Sequence, residues 1–345
     1  MNIAILSLGS GGTMGHMSLT TKLSSSLIKK NKIYLFSDYN YLDFSNIKNP
    51  KFKIVKILSQ KHQKTVGGEL TYKHKKNLFS ELGRNKIDIL IFSTFFDLEI
   101  INHCKKKGIK TILVSYPLRD SHRQAIKSRK YYDLFDKVFT LKDITDINKV
   151  SKKEEFVSPI KTKHIKSKKS KEVKNILVTC GGGGRPSSEL FFTLLNEVIK
   201  DIHRKYPKIK FTLIIGNSKI NLKLPNSKVL KWSKKFSDLL FKSDLVISEA
   251  GYYTVLDLIS LHKPAILIPG ERRIDNQELR AINFQMKKLG WFTFPTENPS
   301  KLIYLLAKLI DNPSKIDEIK ESFSKVEKEI FSGKTIDRAI LEFSR

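Results

Sequence analysis

The stretch NILVTCGGGGRPSSELFFTLLNEVIKDIHRKY, residues 175–206, sets a short apolar run against four consecutive glycines and then a long helical segment. A strand that ends in a glycine-rich turn and passes into a helix is the repeating unit of a parallel α/β sheet. Glycines Gly182, Gly183 and Gly184 let a backbone approach a ligand closely, and the helix start behind them offers N–H groups at the positive end of its dipole. The arrangement suits a diphosphate, with Arg185 as an added cationic contact. A plain strand-to-helix turn is the alternative, and it leaves the entropy of four glycines unexplained. The spacing fits neither a Walker A loop nor a spaced Gly-x-Gly-x-x-Gly.

The same pattern extends outward from this stretch. Downstream, FTLIIG (211–216), SKVLKW (227–232), DLVISEA (244–250) and PAILIPG (264–270) read as strands, with KKFSDLLFKS and YTVLDLISLH as helices between them. Upstream, IAILSL, KIYLFS, FKIVKIL, DILIFS, KTILVSY and KVFTL alternate with helical stretches such as SLTTKLSSSLIKK. Between the two series lies KTKHIKSKKSKEVK, rich in lysine and without periodicity, which reads as a linker. The fold class is therefore α/β, with two Rossmann-like doubly wound domains. We expect an N-terminal domain over 1–160, a basic linker over 161–173, a C-terminal ligand-binding domain over 174–320 and terminal helices over 321–345 that return toward the N-terminal domain.

At 345 residues with 40% hydrophobic content the chain can fill two cores, and disorder is excluded as its general state. The formal charge of +30 has two readings: a surface that faces polyanions, and lysine enrichment from AT-rich coding. Cys104 and Cys180 stand far apart, so neither a disulfide framework nor a zinc site is expected, and a reducing cytoplasm is the default. The first residues lack the layout of a signal peptide, and no apolar run approaches ~18 residues. Any meeting with a membrane is expected at its surface.

Two more stretches carry chemistry. In DLVISEAGYYTVLD a strand stops near Gly251, and Thr254 and Asp257 follow in the next helix, near the carboxyl edge where open α/β sheets bind ligands. A carboxylate there can accept two ribose hydroxyls, although an Asp near a helix start also serves as a dipole partner. In PAILIPGERRIDNQELRA a buried strand runs into Glu271, Arg272, Arg273, Asp275, Asn276, Gln277, Glu278 and Arg280. Amides suit sugar hydroxyls and arginines suit phosphate, while a solvated helix face is the plainer alternative.

The glycine turn together with SEAGYYTVLDLISLHKPAILIPGERRIDNQELRA resembles the donor domain of family 28 glycosyltransferases, in particular the MurG group. GSGGTMGH at 9–16 is similar to that group's GGTGGH loop, with Met14 in place of a glycine. The resemblance implies the GT-B arrangement, a UDP-sugar as co-substrate with no other cofactor and no essential metal, and inverting transfer. It implies that Gly182 to Gly184 lie against the diphosphate, that Trp232 and Ser233 meet uracil, that Thr254 approaches the phosphates, that Asp257 takes the ribose and that Asn276 and Gln277 hold the sugar. On the acceptor side it implies Gly11, Gly12, Thr13 and Gly15, with His16 as general base, because an imidazole titrates near neutrality. A structural hydrogen bond within the loop is the other role open to His16. Glu69 and Arg119 fall on N-domain loops that would also line a site.

The partners implied are a UDP-sugar donor, a lipid-linked or glycan acceptor and an anionic membrane surface on the cytoplasmic side, with no specific nucleic acid. Two other functions fit some of the residues. A UDP-N-acetylglucosamine 2-epimerase or UDP-sugar hydrolase would use the same donor without an acceptor, and a non-enzymatic polyanion binder would use the charge alone.

Overall fold

The structure is a computed structural model. It describes residues 1–7, 15–37, 49–56, 72–94, 96–162, 172–222, 224–233 and 235–344, with residues 15–17, 56 and 72 described by their backbone only. The chain divides into two compact units. Unit 1 comprises Met1–Lys142, Asp146–Ile160 and Gly333–Arg345; unit 2 comprises Asp143–Thr145 and Lys161–Ser332.

In unit 1 the elements run β1 (Asn2–Ser7), α1 (Gly15–Leu27), β2 (Lys32–Ser37), β3 (Phe52–Lys56), α2 (Tyr72–Arg84), β4 (Ile89–Ser93), α3 (Leu98–Lys106), β5 (Lys110–Ser115), α4 (Asp120–Ser128), β6 (Lys137–Leu141) and β7 (Glu154–Val157). The described strands form one parallel sheet in the order β3-β2-β1-β4-β5-β6-β7. Ile3 to Leu6 of β1 are fully buried, as expected for a central parallel strand covered on both faces. One face packs Leu6, Leu90, Phe92 and Leu113 against Leu78 and Leu82 of α2 and Ile100 and Cys104 of α3.

Unit 2 continues with β8 (Asn175–Thr179), α5 (Pro186–Lys205), β9 (Lys210–Ile214), β10 (Ser227–Leu230), α6 (Phe236–Lys242), β11 (Leu245–Ser248), α7 (Tyr252–Ser260), β12 (Ala265–Leu267), α8 (Gln277–Met286), β13 (Gly290–Phe292), α9 (Pro299–Asp311) and α10 (Ser314–Phe331). Its described strands are again parallel, ordered β10-β9-β8-β11-β12-β13. Both orders reverse beside the first strand of the unit, between β1 and β4 and between β8 and β11, which is the switch point where doubly wound sheets open a crevice. The α/β class and the two Rossmann-like halves are as the sequence implies. Val198, Ile199 and Ile202 of α5 and Leu302, Leu306 and Leu309 of α9 share one core with β8, β9 and β11. Each such side chain, taken fully out of water, contributes about 1.5–3 kcal/mol.

The segment that rejoins unit 1 starts at Gly333, whereas 321 was the expected start. Phe323, Val326 and Ile330 of α10 are buried, and Phe323 stacks on His262 and meets Phe284 edge-on, so this helix belongs to unit 2. The last helix, α11 (Ile336–Phe343), buries Ile336, Ala339 and Ile340 in unit 1. There Ser158 N–H donates to Lys334 O at 2.9 Å and Ile336 N–H donates to Ser158 O at 3.0 Å. Of the expected linker over 161–173, Lys161 and Thr162 belong to unit 2, Val173 is buried in its core, and residues 163–171 lie outside the described residues.

At the amino edge of the unit 2 sheet, Lys263 is buried and its Nζ donates to Ser243 O at 2.8 Å, above the ring of Phe241. Burial lowers its pKa to about 8, with nearby Asp244 opposing the shift and Lys320 adding to it. Both states carry the proton below pH 8; between there and the unfolded value of 10.5 the unfolded chain binds more protons, so this group makes stability rise with pH. Relative to Lys263→Met, the wild type should therefore gain about 3 kcal/mol between pH 7 and pH 10.5. Calorimetric melts of both proteins across that range check the sign; a constant difference refutes it.

Candidate functional site

The turns after β8, β9, β11 and β12 leave the unit 2 sheet at one edge. The first is Cys180 to Arg185. Gly181, Gly183 and Gly184 have φ of 68°, 62° and 72°, a region open to glycine and costly for other residues. A Cβ on Gly183 would lie 2.3 Å from Ile215 O, and one on Gly184 would lie 2.9 Å from Asn217 Cβ. The turn after β9 answers in kind, since a Cβ on Gly216 would lie 2.3 Å from Gly182 O. Asn217 N–H donates to Gly182 O at 2.9 Å, and Gly184 N–H donates to Ser218 Oγ at 3.2 Å. The two turns thus lock together, and this packing, beyond any ligand approach, requires the glycines.

Behind β11 the chain runs Glu249, Ala250, Gly251 and into α7. A Cβ on Gly251 would stand 3.9 Å from both Gln277 Nε2 and Thr254 Oγ1, so these two polar groups converge over a residue without a side chain. Gln277 opens α8; its Oε1 accepts from Gly270 N–H at 2.9 Å, which fixes the amide and aims its Nε2 toward Gly251. Asn276 is committed elsewhere: it caps α8, its Oδ1 accepting from Leu279 N–H at 3.2 Å. Asp257 is buried in α7, and its Oδ1 accepts from the hydroxyl of Thr162 at 2.5 Å. Trp232, just past β10, keeps 39% of its surface exposed, and the neighbouring Ser233 Oγ accepts from Lys235 N–H at 3.1 Å.

Sequence reading passed over Glu249, whose signal was a lone acidic residue closing an apolar strand. It is buried at the carboxyl end of β11, ion-paired with Arg272 and hydrogen-bonded by Ser188 Oγ at 3.4 Å. Burial pushes its carboxyl above the usual range against the opposing pull of Arg272 and Arg185. Beside it burial, with help from Glu249, pushes the Cys180 thiol up to about 12, which makes it an inert packing group.

Arg280 has a structural task. Fully buried in α8, it donates from Nε to Asp143 Oδ2 at 2.9 Å and from Nη1 to Ala250 O at 2.9 Å, pairs with Asp275 at 2.9 Å and lies over the ring of Tyr252. Burial works against its charge, and the carboxylates of Asp275 and Asp143 outweigh that and raise its pKa. This network fastens Asp143–Thr145 into unit 2.

On unit 1, Gly15 and His16 begin α1, directly behind the carboxyl end of β1, and nothing further is described of the His16 side chain. Gly11, Gly12, Thr13 and Glu69 lie outside the described residues. Arg119 occupies the cap position of α4 without a capping side-chain bond. Its neighbour Arg123 is buried, paired with Glu154 at 3.2 Å, and Thr140 Oγ1 donates to the same carboxylate at 2.6 Å. Among the described residues no helix is long and apolar enough to cross a membrane.

Residues 175–332 match the glycosyltransferase family 28 C-terminal domain. Over 92% of this chain, and 94% of its counterpart, the sequence is 24% identical to the UDP-N-acetylglucosamine--N-acetylmuramyl-(pentapeptide) pyrophosphoryl-undecaprenol N-acetylglucosamine transferase of Rickettsia bellii. The enzyme of the same name from Prochlorococcus marinus is 32% identical over 31% of this chain and 30% of its own. Among solved structures, Acinetobacter baumannii MurG superposes with a TM-score of 0.64 at 14% identity over 99% of this chain and 98% of that one. The spinosyn forosaminyltransferase SpnP gives 0.69 at 12% identity, with the same coverage. Residues 175–332 thus carry the C-terminal domain of glycosyltransferase family 28, the whole chain is similar to MurG and has the GT-B fold, and the protein is a glycosyltransferase.

The two interlocked turns predict a graded response to alanine. At Gly181, where a Cβ meets nothing within 4 Å, the cost is the left-handed backbone alone, about 1–2 kcal/mol. At Gly183 the clash with Ile215 O adds to it, for a total of about 2–5 kcal/mol. Calorimetry on Gly181→Ala and Gly183→Ala checks the order, and equal costs would refute the interlock.

Proposed function

We propose that this glycosyltransferase moves a sugar, with N-acetylglucosamine as first candidate, from a UDP-sugar to a lipid-linked or membrane-associated acceptor, inverting the anomeric centre. The observation that carries the donor side is the convergence of Thr254 Oγ1 and Gln277 Nε2 over Gly251, next to the switch point between β8 and β11. Polar groups that meet above a glycine leave room for a ligand and hold it by direction. The names of the relatives support the donor and the acceptor class, since the Rickettsia and Prochlorococcus proteins are named for N-acetylglucosamine transfer to a pyrophosphoryl-undecaprenol lipid.

In this reading the glycine turn and the start of α5 receive the diphosphate, Trp232 and Ser233 meet the uracil, Asp257 takes the ribose and Gln277 takes the sugar. Asn276 contributes through its backbone, because its side chain caps α8. The acceptor hydroxyl attacks the anomeric carbon from the face opposite the diphosphate and gives its proton to His16. The bond from the anomeric carbon to the diphosphate oxygen breaks with its electron pair, which leaves as part of UDP. Gly11, Gly12, Thr13 and Gly15 are assigned to the acceptor. With arginines and backbone amides available to meet the leaving charge, we read the transfer as metal-independent. The charge of +30 fits a protein held at an anionic membrane face on the cytoplasmic side.

A melting panel of UDP-N-acetylglucosamine, UDP-glucose, UDP-galactose and UDP-glucuronate tests the donor. A ligand at one hundred times its Kd stabilises by about 2.7 kcal/mol, a rise of several degrees. No response to any of the four defeats the reading, and rapid turnover of the donor without acceptor favours an epimerase or hydrolase instead. His16→Ala should keep the donor response and lose about 10²–10⁴-fold in transfer rate; wild-type rates would remove His16 from the mechanism.

A further inference from the structure

We infer that Thr162 is a positioning residue of the ribose subsite, holding the Asp257 carboxylate in the direction from which it meets the two hydroxyls of a UDP-sugar. The inference rests on the donor reading above, in which Asp257 takes the ribose, and adds a residue which that reading does not use.

Asp257 stands three positions after Thr254, so both side chains share one face of α7, and Thr254 on that face converges with Gln277 over Gly251. The carboxylate of an aspartate turns about a soft terminal torsion. Two vicinal hydroxyls are met well in only part of that range, because each oxygen must lie toward its own donor. The Thr162 hydroxyl donates to Asp257 Oδ1 at 2.5 Å and so fixes one oxygen of the carboxylate before a ligand arrives. Orientation supplied in advance lowers the ordering cost of binding.

Thr162 is itself placed by the residue before it. Lys161 Nζ pairs with the Glu327 carboxylate of α10, and Glu327 Oε2 meets His262 Nε2 at 2.8 Å. His262 lies two residues past the end of α7 with φ of 50°, its ring stacked on buried Phe323 at 5.6 Å between centroids. Burial works against the Glu327 charge, and the hydrogen bonds from Lys161 and His262 outweigh that and lower its pKa. Two consecutive residues, at the point where the chain enters unit 2, thus reach α7 twice: directly at Asp257, and through Glu327 behind its last turn.

The chemistry of the contact separates positioning from simple fastening. Lys161 and Lys163 flank the position, yet the residue that meets Asp257 is a neutral threonine. A lysine there would hold the carboxylate by a charge-assisted bond, roughly twice as strong as a neutral one, and would compete with ribose hydroxyls for it. A hydroxyl orients the carboxylate without bringing a counter-charge, and the fastening is left to Lys161 on Glu327. Each carboxylate oxygen offers two acceptor sites, so the bond to Oδ1 is compatible with a ribose hydroxyl on each oxygen.

Titration calorimetry of the full chain with UDP and with its 2′,3′-dideoxy analogue tests the inference. Wild type should bind UDP about 10–100-fold more tightly than the analogue, which lacks both hydroxyls. Thr162→Val should lose about 3–10-fold for UDP and keep the wild-type affinity for the analogue, while Thr162→Ser, which retains the hydroxyl, should recover most of the loss. Equal losses on both ligands would show that Thr162 serves the fold alone, and unchanged or tighter UDP binding in Thr162→Val would show that it is idle or competes with the ribose; each of these overturns the inference. Equal wild-type affinities for the two ligands would remove Asp257 from the ribose and the inference with it, while the UDP binding leaves the donor reading standing. If wild type binds neither ligand, the donor reading and this inference fall together. Should Thr162→Val fail to fold, Thr162→Ala decides with the same two ligands.

Discussion

Parallel strands have to be entered from the same end, so every turn that follows a strand leaves at the opposite edge. In unit 2 this constraint gathers four turns, those after β8, β9, β11 and β12, along one side of a single sheet. Everything with chemical character follows from that gathering. Residues 181, 216, 251 and 272 are distant in the chain, yet they are brought near each other by register rather than by any local preference. The amino edge, built under the same rule, receives the buried Lys263 and its carbonyl partner.

The gathered edge concentrates polar groups in a dry place, and the protein meets that difficulty in two ways. Arg280 is compensated completely, by Asp143, Asp275 and Ala250 O, and in return it ties a short excursion of the chain, Asp143–Thr145, to α8. Glu249 and Arg272 form a second pair, which draws on the serines at the start of α5. A buried pair is weak support for stability on its own, because desolvation offsets much of the attraction. Placement is therefore the informative property: one pair closes the framework and the other lies where phosphate is expected.

Much of this was legible beforehand. Runs such as Ile3 to Leu6 and Leu245 to Ser248 announced central strands because parallel sheets bury both faces, and the glycine turns announced strand ends. Two of the four edge strands, β7 and β13, were not legible. Glu154–Val157 has two glutamates in four residues, and its burial makes sense only beside Arg123, thirty-one positions away. Gly183 and Gly184 were readable as necessary, but the cause, a second turn pressed against them, is tertiary. Asn276 was read by its amide chemistry alone, while its place just before a helix already carried the signature of a cap. The bond from Thr162 to Asp257 had no signal in a lysine-rich linker.

Neither unit is a continuous piece of chain. Unit 1 lacks its share of Ile336, Ala339 and Ile340 until α11 arrives, and that helix is made after the whole of unit 2. During synthesis on the ribosome the first sheet must therefore wait, its α11-facing surface uncovered, while some 170 residues of the second unit emerge and fold. The order of translation and the order of completion are reversed for the first unit. Helix α11 acts as a late clasp, so unit 1 attains its full native packing only after unit 2 has been made.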